Sequence, residues 1–332
     1  MNTFLTPLRE RPHFMNQLFN VFADLVFPHI STYLKKMDFQ NNTTKKLFFT
    51  DIDGTLVDQK MNFHKSEKAV TTIKRHSDLI VPVSSKPAGA IYTLLQRMKL
   101  NVPFICENGG GIVIPQKYQN KFKQVPHRHI EIPEGLLICL GVQRNKILRD
   151  LDNIENKISQ KYGLPNYFII SPDMPQSSEE IISLQPYFPH WTVEQIREGC
   201  SPQKYFDVAF QFKKNVDIKG EIKNEVISEL QARGHTVLKG GLFYHVLKGC
   251  DKGKAVKKFT QIFVKTHKTR IKTIGVGDGE NDLEMLHAVD KGYNVQDQNG
   301  KNLLSKFPRI ISVPQIGPRG FSWVVKQVYK SP

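Results

Sequence analysis

Short apolar runs that end on acidic or hydroxyl residues recur along the chain, most of them followed by helical spacing. Residues 46–50 (KLFFT) read as a buried strand leading into Asp51. Residues 79–83 (LIVPV) form a second run, ending at Ser84-Ser85, and 102–106 a third, running into Glu107-Asn108-Gly109-Gly110-Gly111. Helical spacing covers 66–75 and 88–99. The rhythm resumes late, with a helix over 252–263, a strand over 271–276, a helix over 280–288, strands at 292–295 and 309–313, and a closing helix over 321–329. Strands alternating with helices predict an α/β chain whose parallel sheet is covered on both faces, with functional groups gathered at the carboxyl ends of the strands.

Between about 114 and 243 the rhythm changes. Helices are expected over 142–161 and 218–232 and a strand over 206–212, the pattern of a separate α+β unit inserted into the sheet domain. The expected division is a core of 45–113 plus 246–332, with an inserted cap of 114–245. Residues 1–44 read as an N-terminal extension. Phe14, Leu18, Phe19, Phe22, Leu25 and Phe27 have close to helical spacing there, and a polar linker follows. Asn16, Gln17, Asn20 and Asp24 interrupt the apolar stretch, so it reads as neither a membrane span nor a secretory leader.

Composition changes this picture little. Apolar residues at 39% suit a globular chain with a sizeable core. Cys106, Cys139, Cys200 and Cys250 lie far apart with no C-x-x-C pair, which argues against a zinc ribbon or disulfide framework and for a reducing, cytoplasmic setting. The net charge of +16 comes from scattered lysines rather than a basic stripe interleaved with aromatics, so no nucleic-acid partner is expected.

The chemistry sits at the strand ends. Asp51 and Asp53, two apart after the first strand, point roughly the same way and repel unless a cation or shared proton intervenes; a hard cation with oxygen ligands, magnesium above all, fits. Gly54 permits a sharp turn, and Thr55 can bond a phosphate. Asp278 and Asp282 follow another apolar strand, one helical turn apart, so both can face the same crevice. Ser84 ends the second strand, where a hydroxyl and backbone N–H groups can hold phosphate oxygens. Lys252, at a helix start, can neutralise phosphate charge.

Asp51-x-Asp53-Gly54-Thr55, Ser84, Lys252 and Gly277-Asp278-Gly279-Glu280-Asn281-Asp282 resemble, in order, the four motifs of the haloacid dehalogenase-type phosphohydrolases. The resemblance spans nearly everything from Lys45 onward and implies a Rossmann-like parallel-sheet core (haloacid dehalogenase fold) with an inserted cap. More narrowly, Ser84-Ser85-Lys86, Pro103 to Gly110, Phe243 to Leu247 and Asp251 to Val256 are similar to the mannosyl-3-phosphoglycerate phosphatase branch. The resemblance implies a magnesium-dependent phosphatase acting on a small phosphorylated sugar-type metabolite. Asp51 would be its nucleophile and Asp53 its general acid and base. Asp51, Asp53 (through its backbone carbonyl) and Asp278 would hold the metal, with Asp282 behind them. Thr55, Ser84, Ser85, Lys86, Asn108, Gly109 and Lys252 would bind phosphate or substrate, and Arg197 is the candidate for gripping a glycerate carboxylate. The chain departs from that branch at Pro87, at Gly199-Cys200-Ser201 and at Leu242. Glucosyl-3-phosphoglycerate, sucrose phosphate and a phosphorylated polyol therefore stay open as substrates. So do a phosphosugar mutase and, from another class, a basic nucleic-acid-binding protein on a decayed scaffold.

Overall fold

A computed structural model describes residues 44–122, 125–126, 128–163, 168–170, 204–212, 220–240 and 243–330. The helix expected over 14–27 and Arg197 lie outside the described residues.

Strand β1 (Lys45–Thr50) is central because its apolar run is buried on both sides. Phe48 packs into one cluster with Val70 and Ile73 of helix α1 (His64–Arg75). Leu47 and Phe49 enter another, with Val256 and Phe259. Each such side chain contributes about 1.5–3 kcal/mol. Strand β2 (Leu79–Pro82) pairs parallel with β1, and helix α2 (Ala88–Arg97) follows. The next expected strand is a three-residue β3 (Phe104–Cys106). It meets the parallel sheet only through an isolated bridge, Val83 to Ile105. Its ladder is instead antiparallel, with β4 (Gly111–Ile114), and continues through β6 (Gly135–Cys139) to β5 (His129–Ile132). That bridge is parallel, so β3 keeps the expected direction beside the end of β2; what the expectation lacked is the antiparallel ladder on its other side.

The second antiparallel sheet runs β7-β8-β10-β9, from β7 (Phe168–Ile170), β8 (Val208–Phe212), β9 (Thr236–Gly240) and β10 (Phe243–Leu247). Helices α3 (Arg144–Tyr162) and α4 (Glu221–Ala232) close a separate core with it, built on Ile147, Leu151, Ile154, Val208, Phe210, Val226 and Val246. Strands β3 to β6, by contrast, share the clusters of the parallel sheet. The expected boundary at 114 falls inside that shared core, and we place the inserted cap, as a proposal, at about 144–246.

The chain returns to the parallel sheet through helix α5 (Lys252–His267) and strand β11 (Ile271–Gly277). A 3-10 turn (Glu280–Asp282), helix α6 (Leu283–His287), strands β12 (Lys291–Gln296) and β13 (Ile310–Ile316) and helix α7 (Gly317–Lys330) complete it. The strand order is β13-β12-β11-β1-β2, all parallel, so the ends of β1, β2 and β11 share one edge. The expected helix over 280–288 is split, because Asp282 turns its carboxylate back onto its own loop. Among the described residues no helix is long and apolar enough to cross a membrane.

Candidate active site

Asp51 prolongs β1 by one rung, its N–H donating to Val276 O at 2.9 Å. That pairing sets it beside the end of β11. Asp51, Asp278 and Asp282 each bring a carboxylate oxygen within 4.8 Å of the others. Lys252 opens α5 from the other side. Its buried Nζ donates at 2.6 Å to Asp51 Oδ1 and at 2.6 Å to Asp282 Oδ1. Asp51 Oδ2 has no hydrogen-bond partner among the described residues.

The acidic loop is built to hold this geometry. Asp282 Oδ2 accepts from Asp278 N–H at 3.1 Å and Gly279 N–H at 3.0 Å, and Asn294 Nδ2 donates to Gly277 O at 3.1 Å. Thr55 donates at 2.6 Å to Asp278 Oδ1. Its hydroxyl hydrogen, expected on a phosphate, is committed to orienting Asp278. Gly54 takes φ +75°, and a Cβ there would lie 2.6 Å from Asp278 Oδ2, so both the turn and the close approach demand glycine.

Asp53 is the exposed member of the pair, and its Oδ1 lies 3.2 Å from Lys86 Nζ. Ser84 is buried; its Oγ accepts from Lys86 N–H at 3.2 Å, and its own hydroxyl hydrogen has no acceptor among the described residues. Ser85 is partly exposed beside it. Asn108 donates its N–H to Ser84 O at 2.9 Å. It sits in the left-handed region (φ 51°, ψ 33°), is 1% exposed, and leaves both amide atoms, Oδ1 and Nδ2, unpartnered. Buried polar groups are nearly always bonded, which makes this amide a candidate ligand contact. Gly109 wedges the loop against α5: a Cβ there would meet Asp251 O at 2.2 Å.

Burial pushes the Asp51 carboxyl well above the usual range against the pull of Lys252, with Asp282, Asp278 and Asp53 adding to the rise. Asp278 is pushed up to about 7 by burial and by Asp282. Burial would lower Lys252, but Asp282 and Asp51 outweigh it and raise it, so it stays an ammonium. Among the described residues, Asp51, Asp278 and Asp282 therefore gather around one buried ammonium, that of Lys252. That deficit of positive charge, with an all-oxygen donor set, fits a hard divalent ion.

Two buried carboxylates had no role in the sequence reading. Glu107 accepts from the N–H groups of Tyr205, Phe206 and Asp207 at 2.7–3.0 Å. Asp207 Oδ2 takes His245 Nδ1 at 2.6 Å and Lys204 Nζ at 3.0 Å. Glu107 and His245 lie in the segments Pro103 to Gly110 and Phe243 to Leu247, the available signal; nothing in the sequence marked Asp207.

A parallel sheet with the acidic residues of two strand ends facing a helix-borne lysine defines a class, and the comparison with known families agrees. Residues 48–306 match the haloacid dehalogenase-like hydrolase family, and the chain belongs to it. It is 29% identical, over 77% of its length and 87% of that protein, to the glucosyl-3-phosphoglycerate/mannosyl-3-phosphoglycerate phosphatase of Methanococcoides burtonii. It is 27% identical, over 78% of its length and 96% of that protein, to the mannosyl-3-phosphoglycerate phosphatase of Pyrococcus furiosus. Among solved structures, TM0651 from Thermotoga maritima shares the fold (TM-score 0.56, 17% identity, 86% of this chain and 97% of that one). So does a haloacid dehalogenase-like hydrolase from B. subtilis (TM-score 0.56, 16% identity, 85% and 99%). The chain is an enzyme, a hydrolase of this family, and the expected phosphoric monoester hydrolase class agrees with the names of those relatives.

Proposed function

We propose that the protein is a magnesium-dependent phosphatase that releases phosphate from a glycosyl-3-phosphoglycerate, most readily the mannosyl ester. The observation that carries the reading is Asp51 itself: buried at a strand end, one oxygen clamped by Lys252, the other open. The relatives' names supply the substrate class, and a relative named for both the glucosyl and mannosyl esters keeps the glucosyl ester as a second substrate.

Asp51 Oδ2 attacks phosphorus, the ester P–O bond breaks, and an aspartyl-phosphate forms on Asp51. Asp53 gives its proton to the departing alkoxide oxygen, then takes one from the water that hydrolyses the intermediate and restores Asp51. Lys252 keeps Asp51 oriented and, with Ser84 Oγ and the Asn108 amide, meets charge on the transferring group. Thr55 and Asp282 fix the acidic loop. Asp51, Asp278 and the Asp53 carbonyl are the groups that would hold magnesium, which when bound offsets repulsion between carboxylates and phosphate.

The test is phosphate release, with magnesium, from the mannosyl and glucosyl esters and sucrose phosphate by wild type and Asp51→Asn. Turnover of a glycosyl-3-phosphoglycerate, reduced at least about 10³-fold in the variant, is expected, because the nucleophile is removed. Hydrolysis of none of these, nor of an aryl phosphate, would sink the reading.

A further inference from the structure

The face of the cap sheet turned away from α3 and α4 holds a charged cluster that the proposed chemistry does not use. Residues paired across strands share a face. Tyr244 opposes Phe210, and Val246 opposes Val208, on the side packed against α3 and α4. His245 opposes Ala209 and Leu238 on the other side. Strand β9 of the same sheet lies against the turn Glu280–Asp282, so this sheet borders the acidic loop.

Asp207 is fully buried at the foot of β8, and its Oδ2 gathers His245 Nδ1 and Lys204 Nζ. Burial would raise the Asp207 carboxyl, but His245 and Lys204 hold it down at about 2, so it accepts hydrogen bonds and does not donate them. Nδ1 of His245 therefore carries the proton of that contact, and Nε2 is the atom left over. Neither Nε2 nor the remaining protons of Lys204 has a partner among the described residues, and neither side chain is sealed (13% and 14% exposed). The cluster is also tied to the catalytic loop. The N–H groups of Tyr205, Phe206 and Asp207 bind the carboxylate of Glu107, whose neighbour Asn108 is bonded to Ser84.

We propose that Lys204 and His245 form the cap half of the substrate site, with Asp207 as their positioning residue. Lys204 Nζ pairs with the carboxylate of the leaving group, and His245 Nε2 hydrogen-bonds a hydroxyl of the sugar. The inference rests on the phosphatase reading, and it names which groups distinguish a glycosyl-phosphoglycerate from a plain phosphate ester. A buried-side ammonium with spare donors is the group a carboxylate requires, and an imidazole locked at Nδ1 presents Nε2 in a fixed direction.

The test compares selectivities. Wild type is expected to prefer the glycosyl-3-phosphoglycerate over its carboxyl methyl ester. Lys204→Met lowers that preference about ten- to hundredfold, the worth of one charge-assisted bond. Lys204→Arg retains most of it. His245→Phe keeps an aromatic ring, loses Nε2, and lowers the preference for glycosylated over unglycosylated 3-phosphoglycerate. An unchanged preference in Lys204→Met and His245→Phe, or no preference in wild type, overturns the proposal. Calorimetric binding of the same pair of esters to Asp51→Asn separates the two readings. Carboxylate-dependent binding without turnover of any ester by wild type would overturn the phosphatase alone and support this site. Equal binding of both esters would overturn this site while leaving the phosphatase intact.

Discussion

Glu107 offers a measurement in which charge and hydrogen bonding separate. Its carboxylate satisfies three consecutive backbone N–H groups where the chain enters β8; Oε2 takes all three donors and Oε1 only a second contact from Tyr205. Glu107→Ala leaves those donors unpaired in a buried junction, each costing about 1–3 kcal/mol, so a loss of at least about 3 kcal/mol is expected. Glu107→Gln keeps an acceptor oxygen in the place of Oε2 and carries no charge. Burial pushes the Glu107 carboxyl up to about 7 from 4.5, against the Tyr205 and Phe206 bonds, with Asp207 adding to the rise. Between those values the folded protein holds a proton that the unfolded chain has released. Stability of the wild type therefore falls as pH rises through that window, by about 3 kcal/mol in all, and the glutamine variant lacks this fall. Melting curves from pH 4.5 to 8 should show Glu107→Gln gaining on wild type by roughly 6–12 °C, while Glu107→Ala stays below both. Parallel wild-type and glutamine curves, or a glutamine variant as unstable as the alanine one, would refute the reasoning.

Gly109→Ala forces a left-handed non-glycine residue (φ +94°) and a Cβ 2.2 Å from Asp251 O, so urea unfolding should show a loss of at least about 2 kcal/mol, and turnover should drop. Lys252→Met removes one partner of a buried ion cluster and should cost about 3–5 kcal/mol by the same assay; a cost below about 1 kcal/mol would contradict the burial argument. Because burial and Asp282 push Asp278 up to about 7, its ionised form is lost as pH falls below that value. Magnesium affinity measured by titration calorimetry should therefore weaken up to about tenfold per unit from pH 7 to 6; an affinity flat across that range would contradict it.

Much of this was legible because the chemistry stands at the ends of apolar runs. Leu47, Phe48 and Phe49 announce a strand buried on both faces, and Asp51 follows directly. Ser84, Lys252 and Asp278 each stand at an element boundary that pattern alone locates. The rest depended on partners that no period encodes. A run as short as Phe104–Cys106 cannot reveal whether its ladder is parallel or antiparallel. Strands such as His129–Ile132 and Thr236–Gly240 mix polar and apolar residues too evenly to stand out. The helix expected at Glu280 was broken by Asp282 bonding to its own loop, a local competition that spacing does not weigh. That the Thr55 hydroxyl turns to Asp278, and that Glu107 finds its donors near position 206, are facts of long-range packing.

The order of strands in the sheet bears on how the protein emerges from the ribosome. β1 pairs on one side with β2, which follows it closely, but on the other with β11, which begins only at Ile271. At 5–20 residues per second, that edge of a strand with buried Leu47, Phe48 and Phe49 stays unpaired for roughly 10–45 s of synthesis. An open, hydrophobic edge is a template for wrong pairing. The cap, with its own core and its chain neighbours close at hand, can fold during that interval, while the catalytic half waits for its last strands. Nascent chains stalled before β11 should thus depend on chaperones and show no trace of the active site.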